Sequence, residues 1–160
     1  MPMGVFVGPA TGKELKQIIS FSERMGPLEA FGVHPPSLEE AFKSNSRVLV
    51  LKAPGTERGE HEIIGFGFLR LNTAEEVELR KIGLLRRFRG HHGKHFLGLL
   101  EDFAVSEFGA KKIVLNVSQT FWKERGPQKF LPGDVRQRWF RARGYAANPK
   151  QVGLVKHLIK

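Results

Sequence analysis

Along this chain the spacing of apolar positions changes several times, and each change marks an element. Val5-Phe6-Val7 is a short strand pattern closed by Gly8-Pro9. Thr11 and Glu14 form a capping box. Leu15, Ile18 and Ile19 then follow at helical spacing, which predicts a helix to about Gly26, with Pro27 just past the glycine stop. His34-Pro35-Pro36 excludes helix. Ser37 with Glu40 is a second capping box and opens a short helix through Phe42. Arg47-Val48-Leu49-Val50-Leu51 reads as a strand. Turn residues run from Pro54-Gly55 to Gly59, and Ile63 to Leu69 is the partner strand of a hairpin. Asn72-Thr73 turns the chain into a third strand, about Val77 to Leu85.

The alternation stops at Arg86-Arg87-Phe88-Arg89-Gly90, and a loop rich in His, Gly and Lys follows. Phe96, Leu99, Leu100 and Phe103 then recur at helical spacing up to Gly109. The segment reads strand, glycine-containing loop, helix. Ile113 to Val117 is another strand, and Pro127 and Pro132-Gly133 make 121–134 an irregular excursion. Val135 to Arg143 is a short helix closed by Gly144. Tyr145-Ala146-Ala147 and Val152 to Ile159 end the chain as two strands. The order β α α β β β α β α β β predicts an α/β (α+β layered) structure, a mixed central sheet flanked by helices.

Length and composition fit one domain over 1–160, since 160 residues at 41% hydrophobic build a single core but hardly two. The formal net charge of +10 favours an anionic partner, whether nucleic acid, a phosphorylated cofactor or acidic lipid. It is concentrated near the loop. Arg80, Lys81, Arg86, Arg87, Arg89 and Lys94 lie between Leu79 and Leu100 with no acid among them. A helix start offers unpaired N–H groups and the positive end of the helix dipole, so a phosphate or pyrophosphate suits the start of the helix after Gly90.

The absence of cysteine excludes disulfides, thiolate catalysis by the protein and cysteine-based zinc sites, and fits a cytoplasmic protein. Neither a signal-peptide pattern nor an apolar run long enough to span a membrane is present. His92 and His95 are spaced as a metal pair, but no carboxylate in the loop completes a set, so no metal is expected.

The element order, the segment LRKIGLLRRFRGHHGKHFLGLLEDFA and the closing WFRARGY at 139–145 together resemble the GNAT superfamily of acetyl-coenzyme A dependent N-acetyltransferases. The resemblance covers nearly the whole chain and implies the GNAT-like acyl-CoA N-acyltransferase fold, with acetyl-CoA as co-substrate and an amine as acceptor. It implies that the loop and helix start, with Arg87, Arg89, Gly90, His91, His92, Gly93 and Lys94, hold the pyrophosphate. The main chain of Ile82, Gly83 and Leu84 would bind the pantetheine arm, and the thioester would sit where the two central parallel strands splay apart. Glu78 falls where the family often places a general base.

Two positions depart from the family pattern. His92 stands where a Gly or Ala is usual, if the loop motif is read from Arg87. Phe140 stands where a tyrosine acid is usual, while the single tyrosine, Tyr145, falls on the following Gly-aromatic step. A second copy of the closing motif at Phe121 to Gly126 lies too close to the strand ending at Val117. Two other readings stand beside this one. RRFRGHHGK with Phe88 would suit a nucleic-acid-binding module, which is possible but not favoured. Phe140 would suit a non-catalytic acyl-CoA-binding protein of the same fold. Homodimerisation is left open.

Overall fold

Both predicted capping boxes close. The Glu14 amide donates to Thr11 Oγ1 at 3.1 Å, and the Thr11 amide donates to Glu14 Oε1 at 3.0 Å, starting helix α1, Gly12–Met25. The Glu40 amide donates to Ser37 Oγ at 3.2 Å, and the Ser37 amide donates to Glu40 Oε1 at 3.1 Å, starting helix α2, Leu38–Ala41. The computed structural model describes residues 6–25, 36–54, 61–85, 88, 91–115, 138–147 and 153–158. The expected stop at Gly26 and the hairpin turn at 55–60 lie outside them, as does the 121–134 excursion with the rejected copy of the closing motif.

The strands are β1 (Phe6–Pro9), β2 (Ser46–Pro54), β3 (His61–Leu71), β4 (Glu76–Leu84), β5 (Lys112–Leu115), β6 (Ala146–Ala147) and β7 (Leu154–His157). Helix α3, His91–Phe108, joins β4 to β5, and residues 138–141 form a helical turn. β2 and β3 outrun the predicted strands because the hydrogen-bond ladder continues through polar residues that the apolar pattern does not mark: Lys52 pairs with Ile63, and Pro54 with His61. One seven-stranded sheet runs β1-β2-β3-β4-β5-β7-β6, antiparallel except where β4 meets β5. The mixed sheet flanked by helices is therefore present.

The two faces of the sheet bury different elements. Val48 of β2 and Phe68 of β3 pack with Leu15 of α1 and Ala41 of α2. On the opposite face, α3 docks over β3 through Phe96, Leu97, Leu100 and Ala104, all buried. That docking depends on Gly67. A Cβ there would stand 2.7 Å from both Leu100 δ-carbons, closer than van der Waals contact allows. Gly65, two residues earlier on the same face, makes room for Leu84 in the same way, with a Cβ placed 2.7 Å from Leu84 Cδ2. Gly109, in the left-handed region at φ 66°, ends α3 as its sequence position predicts.

The closing hairpin is tied to α3 by one polar cluster. Tyr145, 2% exposed, donates its hydroxyl to Glu101 Oε2 at 2.8 Å, and Lys156 Nζ donates to Glu101 Oε1 at 3.0 Å. Burial, and then the charge and hydrogen bond of Glu101, push the Tyr145 hydroxyl far above its ordinary pKa, so it stays protonated and donating.

Two substitutions test this packing. Gly67→Ala is expected to lower stability by about 1–3 kcal/mol through overpacking against Leu100, read as a lower urea midpoint with unchanged slope. An unchanged midpoint would mean that α3 does not sit this close to the sheet. Tyr145→Phe keeps the ring but removes a hydrogen bond to a charged group, and is expected to cost about 1.5–3 kcal/mol in the same measurement.

Candidate active site at the strand fork

β4 and β5 pair in parallel over only three positions, Glu76 with Lys112, Val77 with Ile113 and Glu78 with Val114. β4 runs on to Leu84 with β3 still beside it; among the described residues its pairing with β5 ends at Glu78 and Val114. Within β4, Leu79 pairs with Leu69 and Lys81 with Phe68, so Arg80 has no opposite residue on β3. This β-bulge bends and twists the strand away from a straight partner.

The bulge also reorders the side chains. Val77, Leu79, Ile82 and Leu84 all keep to the α3 face, because the inserted residue absorbs the change of phase. Glu78, opposite Arg70, and Lys81, opposite Phe68, both fall on the face covered by α1 and α2. Arg80 joins them there, donating from Nη1 to Glu78 Oε1 at 3.4 Å, while Arg70 Nη2 donates to the same oxygen at 3.0 Å. Glu78, Arg80 and Lys81 of β4 are thus gathered on one face of the sheet.

The main chain of β4 past the bulge also has a definite orientation. The Gly83 carbonyl lies 2.8 Å from where a Cβ on Gly65 would stand, and the Leu85 amide donates to the Ile64 carbonyl at 2.8 Å. Gly83 and Leu85 therefore face β3. Alternation then turns the N–H and C=O of Ile82 and Leu84 toward the opposite edge of β4, away from β3. Of the three positions expected to offer main-chain groups to a ligand, Ile82 and Leu84 face that edge and Gly83 faces the neighbouring strand.

Helix α3 begins at the end of β4. His91, His92 and Gly93 form its first turn, where N–H groups precede the i to i−4 ladder, and that turn contains no acid. His92 is half-buried with its ring edge-on to Phe88, centroids 5.4 Å apart, and Lys94 is exposed. Gly93 is buried against the closing motif, where a Cβ would stand 3.3 Å from Trp139 Cζ2 and 3.7 Å from Leu84 Cδ1. Its missing side chain admits the Trp139 ring. Arg87, Arg89 and Gly90 lie outside the described residues, as does the side chain of His91. Among the described residues no group of three or more His, Cys, Asp and Glu could hold a metal ion. Nor is any described helix long and apolar enough to cross a membrane.

Phe140 is buried, edge-on to Trp139 at 4.9 Å and to Tyr145 at 5.6 Å, so this position carries no proton donor. Tyr145 is committed to Glu101 and does not replace it. The residues that sequence reasoning passed over as individuals are Arg70, Arg80 and Lys81. The sequence groups Arg80 and Lys81 with the cations of the following loop, but the bulge sends them to the face covered by α1 and α2. Their signal was legible: the apolar positions of β4 run 77, 79, then 82, 84, a slip of one.

No protein-family model matches the chain, and no curated protein matches it by sequence. Solved structures do. The PaiA N-acetyltransferase of Thermoplasma acidophilum, crystallised with coenzyme A, is similar over 98% of this chain and 100% of its own, with 14% identity and a TM-score of 0.65. A GNAT family acetyltransferase from Elizabethkingia anophelis with acetyl-CoA bound is similar over 98% and 100%, with 14% identity and a TM-score of 0.59. Ard1 from Thermoplasma volcanium is similar over 99% and 100%, with 10% identity and a TM-score of 0.67. At these identities the likeness is one of architecture, and it extends end to end: the chain has the fold of the GNAT acyl-CoA N-acyltransferases.

Proposed function

We propose that the protein is an acetyl-coenzyme A dependent N-acetyltransferase acting on a primary amine, by direct attack in a ternary complex. The observation that carries this reading is the bulge in β4. Beyond it the main-chain groups of Ile82 and Leu84 turn away from β3, and an acid-free helix start follows the strand. The fit to the cofactor rests on those same groups. Ile82 would hydrogen-bond the pantetheine arm, and Leu84 lies on the same edge. The first-turn N–H groups of α3 suit a diphosphate, with Arg87, Arg89 and Lys94 adding charge. Coenzyme A structures of the same fold support the assignment.

When bound, acetyl-CoA supplies the acetyl group as an activated thioester. The chain supplies position and proton transfer. A β4 N–H on that edge would polarise the carbonyl under attack. Glu78 stands, among the described residues, at the last position where β4 pairs with β5. Its Oε1 is taken by Arg70 and Arg80, and among the described residues nothing donates to Oε2. That oxygen is the group offered to an incoming ammonium, which must lose a proton before it can attack. Phe140 cannot return a proton to the departing thiolate, so that proton comes from solvent or from the acceptor side.

Coenzyme A at ~100 times its dissociation constant is expected to stabilise the protein by about 2.7 kcal/mol, seen as a raised Tm. No shift, together with RNA binding that weakens steeply with salt, would favour a nucleic-acid module instead. Glu78→Gln should lower kcat at neutral pH by about 10²-fold or more and leave the coenzyme A shift intact. Unchanged turnover would remove Glu78 from the mechanism. A normal coenzyme A shift without transfer to any amine would point to an acyl-CoA-binding protein.

A further inference from the structure

We propose that Lys81 selects an acceptor whose reacting amine stands next to a carboxylate. The inference rests on the acetyltransferase reading and narrows its substrate class. The bulge at Arg80 places Lys81 on the α1–α2 face, on the same side as Glu78. Lys81 is half-buried there. Among the described residues no carboxylate lies within ion-pair distance of its ammonium.

The nearby acids are already engaged. Glu40 acts on Lys81 through space, but its Oε1 accepts from both the amide and the hydroxyl of Ser37, at 3.1 and 3.2 Å. Glu78 is held by Arg70 and Arg80, and Glu76 by Lys112 at 3.5 Å and Asn72 at 3.1 Å. Burial first, and the neighbouring Arg80 after it, push the Lys81 pKa below the ordinary lysine value, against the pull of Glu40. A half-buried ammonium without a contacting anion is an unmet cost. A carboxylate on the bound acceptor meets it. An acceptor with a second positive charge would instead meet Arg70, Arg80 and Lys81 together, a like-charge arrangement that rejects it.

The carboxylate could belong to a free amino acid or to an acidic residue of a peptide, and the assay separates the two. Coenzyme A release is followed with free serine, with Ser-Glu, Ser-Gln and Ser-Lys peptide amides, and with 1,5-diaminopentane. The expected result is that free serine or Ser-Glu exceeds Ser-Gln by about tenfold in kcat/KM, and that the Ser-Lys peptide and the diamine fall below it. Lys81→Gln should erase that preference through KM, with kcat within about twofold, and Lys81→Arg should keep most of it.

A wild-type preference for Ser-Lys or the diamine overturns the inference. So does equal use of Ser-Glu and Ser-Gln, or a Lys81→Gln loss confined to kcat on every acceptor. If coenzyme A raises the Tm of the wild type but none of the carboxylate acceptors is used, this inference fails and the cofactor reading stands. Without a coenzyme A shift, the acetyltransferase reading fails first.

Discussion

One unpaired residue, Arg80, organises the functional end of this sheet. A regular β4 would stay in step with β3 along its whole length. It would also alternate its side chains strictly, sending Lys81 and Gly83 to the α3 face and Ile82 and Leu84 to the other. That arrangement would bury an ammonium against the apolar side of α3 and expose two aliphatic side chains. The inserted residue avoids that conflict and bends the strand in the same step. The outward-turned main chain of Ile82 and the charged row Glu78, Arg80, Lys81 are two consequences of a single ladder defect.

The defect is useful only because the opposite face is held firmly. Gly65 and Gly67 lower the β3 surface so that Leu84 and Leu100 settle onto it, and Gly93 lowers the first turn of α3 so that the Trp139 ring can cover it. The helix start is therefore fixed by contacts on its buried side, while its N–H groups remain directed along the helix axis. Rigid placement of a dipole end matters for anion binding, since the orientation is set by folding and costs nothing when the ligand arrives. Arg143 stacked over Trp139 at 4.5 Å and Phe140 packed beneath it extend the same clamp into the closing hairpin.

Much of this was legible in the residues. Both capping boxes, the pairing of β2 with β3 and the glycine stop at Gly109 follow from local rules, and each appears where those rules put it. The helix after β4 starts earlier than its apolar spacing marks, because His91, His92, Gly93 and Lys94, read as loop, form its first turn. Those signals lie within a few residues of what they specify. The bulge was written in the slip from 79 to 82, yet a pattern of apolar and polar positions does not say which neighbour a strand gains or loses. The partners of Glu78 were less legible still. Arg70 lies on another strand, and its approach depends on register, which only the assembled sheet sets. The roles of Gly65, Gly67 and Gly93 were hidden for the same reason, since a glycine reveals what it admits only when the neighbour is in place.

On the proposed reading, the missing tyrosine and the crowd of cations belong to one account. A protonated amine entering a site that already holds Arg70 and Arg80 is disfavoured in its charged form, so the local field helps to remove its proton. Glu78 does not cancel that field, because two guanidiniums share one of its oxygens. The same cations favour the thiolate over the thiol as it leaves, which reduces the need for an acid at the position of Phe140. A site that drives deprotonation of the nucleophile and tolerates an anionic leaving group can dispense with a dedicated proton donor. Phe140 is then free to serve as core, and on this reading the two guanidiniums beside Glu78 carry the electrostatic work that a hydroxyl would otherwise share.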